Sequence, residues 1–233
     1  MQVILEYLKS IRSGLESLVF DSSCIICGDR TSQFCINCRK EWRSNPMRLS
    51  GEDFPVYSSI TYGETAATIV LMAKESGISL TRELLVQELR DSIKELCIGE
   101  STKEKNIVLV PIPSSRRARV RRGIDFISQI SSATAYALNQ ESEAIKFRSS
   151  SILSLKRRVV DQTSLSECGR RENLSGAFSA SSKSQIKSPI IIVDDVITTG
   201  STLREAARAL KERNLTVLGA ATACASQRRL PIR

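Results

Sequence analysis

The chain has 233 residues, 41% hydrophobic and 25% charged, which fits one to two globular domains and excludes wholesale disorder. Its net charge of +9 suggests an anionic partner (phosphate, nucleotide or nucleic acid), with a merely solvated basic surface as the alternative. Histidine is absent, which excludes every mechanism or metal site that needs an imidazole, the Ser-His-Asp arrangement included. In residues 3–20, Ile4, Leu8, Ile11, Leu15, Leu18 and Val19 recur at helical spacing, so residues 1–22 are expected to hold an amphipathic helix. Glu6, Lys9, Arg12 and Glu16 break the apolar core that a secretory signal needs. No apolar run approaches the roughly 18 residues of a membrane span. A cytoplasmic protein is expected.

Residues 23–54 read as a metal module and linker. Cys24, Cys27, Cys35 and Cys38 form two CxxC pairs. Two such turns can close a tetrahedron of thiolates around a structural Zn²⁺. A disulfide or a redox pair is the alternative; an intracellular chain argues against disulfides, and neither pair is expected to open a helix that follows a strand. Cys97, Cys168 and Cys224 stand alone and read as small buried hydrophobes. Residues 39–56 mix charge with Pro46, Gly51 and Pro55, and read as linker.

From residue 55 to 233 strands and helices alternate. Strands are expected at 58–62, 107–110, 190–193 and 216–223, and helices at 65–74, 81–96, 124–138 and 201–213. Residues 149–189 show little periodicity. This alternation predicts an α/β domain, a parallel sheet with helices on both faces.

The most informative stretch runs from Ile190 to Thr202. Four apolar residues predict a strand buried on both faces, and Asp194 and Asp195 follow at its C-terminal end. Ligands bind at that end of such sheets. Thr198, Thr199, Gly200, Ser201 and Thr202 then lead into a helix. Glycine lets backbone amides approach an anion, and the helix start adds free N–H groups and a favourable dipole. Two carboxylates beside a phosphate cradle suit a ribose 5-phosphate.

This segment resembles the phosphoribosyl pyrophosphate (PRPP) motif of type I phosphoribosyltransferases. The resemblance widens with the doubled CxxC, Tyr62-Gly63 followed by Lys74, Pro111-Ile-Pro113 with Arg122-Gly123, and Gln162, Leu165-Ser166, Arg170, Asn173 and Gly176-Ala-Phe178. Together these look like the ComF family, phosphoribosyltransferase-like proteins linked to competence and DNA uptake. The resemblance implies a type I phosphoribosyltransferase fold with an N-terminal zinc module and Mg²⁺ carried with PRPP. It implies that Asp194 and Asp195 hold the ribose and that the 198–202 loop holds the 5-phosphate. Purine-salvage members carry an Asp where this chain has Thr198, which argues against purine salvage.

Arg116, Arg117, Arg119, Arg121 and Arg122 lie just past the end of the second strand, where the resemblance implies a loop that holds the pyrophosphate. Arginine's planar fork suits pyrophosphate, and Arg121 and Arg122, beside Gly123, are expected to face a small ligand. A nucleic-acid backbone and a solvated face are the alternatives. The basic residues Lys156, Arg157, Arg158, Arg170 and Arg171 fall where the resemblance places a mobile hood. Two functions remain open. One is a PRPP-binding protein supporting natural transformation, with single-stranded DNA and other competence proteins as partners. The other is a transferase moving the phosphoribosyl group to a nitrogen acceptor.

Overall fold

The structure, a computed structural model, describes residues 23–123, 125–141, 143–156, 176–181 and 186–227, without the side chains of Arg116 and Arg117. The expected N-terminal helix lies outside the described residues. So do Cys168, Ile124, Arg157, Arg158 and the stretch holding Gln162, Leu165, Ser166, Arg170, Arg171 and Asn173. The chain divides after Arg43 into two compact units.

In the first unit, described from residue 23, a turn at Cys24 to Gly28 leads to one short helix, α1 (Ile36–Glu41). Its apolar interior is Phe34 and Trp42 with the buried Cys24, Cys35 and Cys38.

In the second unit a six-stranded sheet has the order β1-β2-β8-β7-β3-β4. Its strands are β1 (Met47–Arg48), β2 (Val56–Thr61), β3 (Asn106–Pro111), β4 (Lys146–Ser149), β7 (Ile190–Ile197) and β8 (Val217–Ala225). All neighbours are parallel except β1, which runs antiparallel to β2. Ile107 to Val110 and Ile190 to Val193 are wholly buried, as continuous apolar runs in a two-sided parallel sheet require.

Alternate residues serve opposite faces. On one face Val108, Val110, Ile190, Ile192 and Ala220 meet Leu203, Ala206 and Leu210 of helix α6 (Ser201–Lys211). A small antiparallel pair, β5 (Leu153–Leu155) and β6 (Phe178–Ala180), packs on the same helix. It is fastened there by buried Glu205, whose Oε1 accepts the Phe178 N–H at 3.0 Å.

The other face carries helices α3 (Ser79–Gly99) and α5 (Phe126–Glu141), with α2 (Glu64–Glu75) against α3. On α3, Leu85, Leu89, Ile93 and Leu96 form the buried stripe that their spacing predicts. Each contributes about 1.5–3 kcal/mol by leaving water. Among the described residues no helix is long and apolar enough to cross a membrane.

The expected elements are present with most bounds shifted by one to three residues, the last helix ending at Lys211 rather than 213, and three local expectations are corrected. The stretch 39–56 is not all linker: α1 runs to Glu41, and Met47–Arg48 pairs with β2. The strand carrying the acids does not stop at Val193. It continues to Ile197 because β8 keeps pairing with it, Asp194 opposite Thr222 and Ile197 opposite Ala225. The arginine run is a helix, α4 (Arg116–Arg122), rather than a loop. Ser115 caps it by accepting the Ala118 N–H at 3.2 Å, and Gly123, at φ +70, ends it in the left-handed conformation.

Candidate functional site

The four cysteines of the first unit converge. Their sulfurs all lie within 4.8 Å of one another, and Cys27 Sγ is 3.6 Å from Cys35 Sγ. Zn–S bonds of about 2.3 Å set the sulfur–sulfur edge of a tetrahedron at about 3.8 Å. The cluster therefore fits a metal ion, and the soft, all-sulfur donor set suits Zn²⁺.

Burial works to raise the Cys24 thiol, but the backbone N–H groups of Cys35, Cys27 and Ile26 outweigh it and bring it down to about 6. Burial, with the neighbouring sulfurs, pushes Cys38 up. Four thiolates this close repel one another, and a dication removes the conflict. Cys35 takes the N-cap position of α1, without a side-chain cap bond, and Cys38 lies within that helix; no strand precedes it among the described residues. Elsewhere Cys224 is buried as expected, whereas Cys97 is only half-buried.

In the second unit, β7 carries both acids directly into the loop that opens α6. Asp195 is buried and Asp194 half-buried. Asp194 Oδ1 accepts the Asp195 backbone N–H at 2.9 Å. Asp195 Oδ2 is paired with the Lys74 ammonium from the last turn of α2. Burial works against the Lys74 charge, but Asp195 and Asp194 outweigh it and hold its pKa above the ordinary lysine value.

Burial, and then the charge of Asp195, hold the Asp194 carboxyl well above the usual carboxylate range. The folded chain therefore keeps a proton here at a pH where the unfolded chain has lost it. This group favours the fold at low pH. It turns against the fold as pH rises from the ordinary value to the raised one. Asp194→Asn is accordingly expected to raise the thermal midpoint at pH 7, by about 2–4 °C for each kcal/mol relieved. In scanning calorimetry that gain should shrink as pH falls towards 4; a lower midpoint at pH 7 would contradict it.

The loop itself is compact. Thr198 is exposed, Thr199 and Thr202 half-buried, and Ser201 buried. Thr199 Oγ1 and Ser201 Oγ are 2.9 Å apart. Gly200, at φ +73, takes the left-handed conformation at the cap of α6. The loop is pinned from β8, where the Ser226 N–H reaches the Ile197 carbonyl at 2.9 Å.

The arginine helix is tied to the same region. Glu75, next to Lys74, pairs with Arg121 and also accepts from Arg122 Nε at 3.3 Å. Arg122 is largely buried, while Arg121 is 63% exposed. Arg119 and Val120 are exposed. So the structure joins α4 to the acids through Lys74 and Glu75, adjacent residues of α2.

Two partners were not among the expected site residues. Lys74 enters the sequence reading only as a point of resemblance to ComF, with no role attached. Glu52 stood in apparent linker, yet its buried side chain reaches Arg204 of α6 behind the loop.

Over residues 81–231 the sequence matches the phosphoribosyl transferase domain family. The chain belongs to that family. Its phosphoribosyltransferase domain thus includes β3, the arginine helix, β7 and the hydroxyl loop.

No curated protein matches the chain. Among solved structures it is similar to an adenine phosphoribosyltransferase, at 11% identity and TM-score 0.37, over 81% of this chain and 88% of that one. It is similar to a hypoxanthine phosphoribosyltransferase from Staphylococcus aureus, at 15% identity and TM-score 0.34, over 64% and 70%. It is also similar to adenine phosphoribosyltransferase from Saccharomyces cerevisiae, at 13% identity and TM-score 0.36, over 81% and 87%. These likenesses add nothing to the family match.

Proposed function

We propose that this phosphoribosyltransferase domain binds PRPP together with Mg²⁺, and that the protein is ComF-like, serving DNA uptake in natural transformation in the cytoplasm. One observation carries the ligand reading. A single strand delivers two carboxylates into a hydroxyl- and glycine-bearing turn at a helix N-terminus. Carboxylates accept from vicinal ribose hydroxyls, and the turn's N–H groups donate to a monophosphate.

Asp194 and Asp195 would hold the ribose. Thr198, Thr199, Gly200, Ser201 and Thr202 would hold the 5-phosphate. Arg121 and Arg122 would face the pyrophosphate end, with Lys74 between. The oxygen donors around the acids suit Mg²⁺. When bound, that ion neutralises pyrophosphate charge. The cysteine cluster would hold Zn²⁺ as a structural element.

Calorimetric titration with PRPP in Mg²⁺ buffer tests this reading. Saturable binding that ribose 5-phosphate competes away is expected; no binding of either compound would end it.

The nearness of Arg122 to Lys74, which itself pairs with Asp195, favours a second reading, an active transferase with a nitrogen acceptor. There the cations would take up the charge of the departing pyrophosphate. Release of pyrophosphate with an added acceptor would identify it.

The DNA arm rests on the resemblance to ComF and on the exposed arginines of α4. Single-stranded DNA is expected to bind with a log-affinity slope against log salt of about −0.7 per phosphate contacted. Replacing Arg119 and Arg121 by Ala should flatten that slope by about one to two contacts' worth. A slope identical to the parent's would leave these arginines as a solvated face.

A further inference from the structure

The hydroxyl loop is braced from behind by a pair that no motif of the chain announces. Glu52 comes from the segment between β1 and β2, and its side chain has no exposed surface. Both of its oxygens accept from Arg204 Nη1, at 2.8 and 2.7 Å. The other arm of the same guanidinium, Nη2, donates to the Thr199 carbonyl at 2.9 Å and lies 3.4 Å from Ser201 Oγ. The fit admits nothing larger than glycine at position 200. A Cβ there would meet Glu52 Oε1 at 1.9 Å.

The peptide between Thr199 and Gly200 is trans, so its N–H points opposite to its carbonyl. The carbonyl is fixed on Arg204. The Gly200 N–H must therefore face away from Arg204, on the other side of the turn. Left alone, an arginine beside a phosphate loop would swing round to the anion. Glu52 neutralises this one and keeps it at the rear.

We propose that Arg204, held by Glu52, is the positioning residue that aims the Thr199–Gly200 amide at the ligand's phosphate. The proposal rests on reading the 198–202 loop as the 5-phosphate site. It adds two residues to that reading, neither of which touches ligand. Arg204 sets which end of one peptide the phosphate meets, and Glu52 stops Arg204 from meeting the phosphate itself.

The test uses the full chain, with ribose 5-phosphate as the probe. Calorimetry gives the affinity, and the amide proton of Gly200 is followed by nuclear magnetic resonance. In the parent, saturation should move the Gly200 amide proton downfield, as a new N–H-to-phosphate bond does. In the double variant Glu52→Gln/Arg204→Met, which buries no lone charge, affinity should fall about tenfold, or about 1.4 kcal/mol. The Gly200 shift should largely vanish with it. Glu52→Gln alone removes the charge that holds Arg204 at the rear, so the Gly200 shift should shrink there as well; a parent-like shift in that variant would overturn the role given to Glu52.

A merely structural pair would lower the melting temperature of the double variant without changing the Gly200 response. That response, or parent affinity in the double variant, would overturn the proposal. Should the double variant not fold, Arg204→Lys replaces it. A lysine cannot span Glu52 and Thr199 as a fork does, so an undiminished Gly200 shift there would overturn the proposal equally. A parent chain that fails to bind ribose 5-phosphate refutes the underlying site reading instead, which separates the two failures.

Discussion

Replacing Cys38 by Ser, or stripping metal with a chelator, is expected to unfold the first unit. Its described part, residues 23–43, has few apolar residues to bury beyond Phe34, Trp42 and the cysteines themselves. A unit so small needs a metal or cross-links in place of a core. Structural Zn²⁺ in small modules contributes about 10–16 kcal/mol of apparent binding energy, most of which becomes folding energy.

Trp42 is the chain's single tryptophan, buried and directly after α1, and its backbone N–H bonds the Cys38 carbonyl at 2.9 Å. Its fluorescence therefore reports this unit alone. A red shift on chelation is expected, with one zinc per chain before and less than about a tenth after. Protein purified without chelator that holds no zinc, or a fluorescence maximum indifferent to chelation, would contradict the assignment.

The second large effect is expected from Asp194→Asn/Asp195→Asn. Each carboxylate would accept a charge-assisted bond from a ribose hydroxyl, worth about 1.5–3 kcal/mol. Losing two weakens PRPP binding by about 10²- to 10⁴-fold. The structure argues for the lower end of that range. Lys74, now paired with Asp195, would be set free in the double variant, and its charge could serve the pyrophosphate instead. The fold should survive, because amides match carboxylates in shape and the like-charge conflict at Asp194 disappears. Unchanged affinity in the calorimeter, with the fold intact, would mean that these acids do not hold the sugar.

The parts legible in the sequence were those where one element settles its own environment. Ile107 to Val110 and Ile190 to Val193 are short continuous apolar runs, mostly β-branched, and a two-sided sheet buries such runs. The order of acids, hydroxyls and glycine at β7 is local, so the loop could be read as a unit. The four cysteines were legible because their spacing alone brings two turns together.

The illegible parts are either marginal or distant. β4 is an edge strand of four residues in which only Phe147 is buried, so no periodicity forms. Arg116 to Arg122 are expected as a loop because they follow a strand end where the resemblance places the pyrophosphate loop. Yet arginine is a good helix former, and Ser115 and Gly123 were start and stop signals in plain sight. Glu52 gave no signal, and Lys74 gave only a place in the ComF-like pattern, with no role attached. Each draws its meaning from a residue more than a hundred positions away, Arg204 and Asp195, and a single sequence does not reveal such pairings.

The strand order has a consequence for how this chain is made. β2 is the second of the described strands in chain order, yet its parallel neighbour is β8, the last of them, with Val56 opposite Ala220 and more than 160 residues between them. Through most of synthesis β2 waits with an unpaired edge, covered on one side only by β1. Such long-range closure is slow, and it leaves apolar strand exposed to nascent-chain chaperones in the meantime. β8 also pins the hydroxyl loop through Ser226. A chain cut short just after α6 therefore contains every residue of the acid pair and the loop, but neither a closed sheet nor a braced turn. Assembly of the site therefore waits for β8.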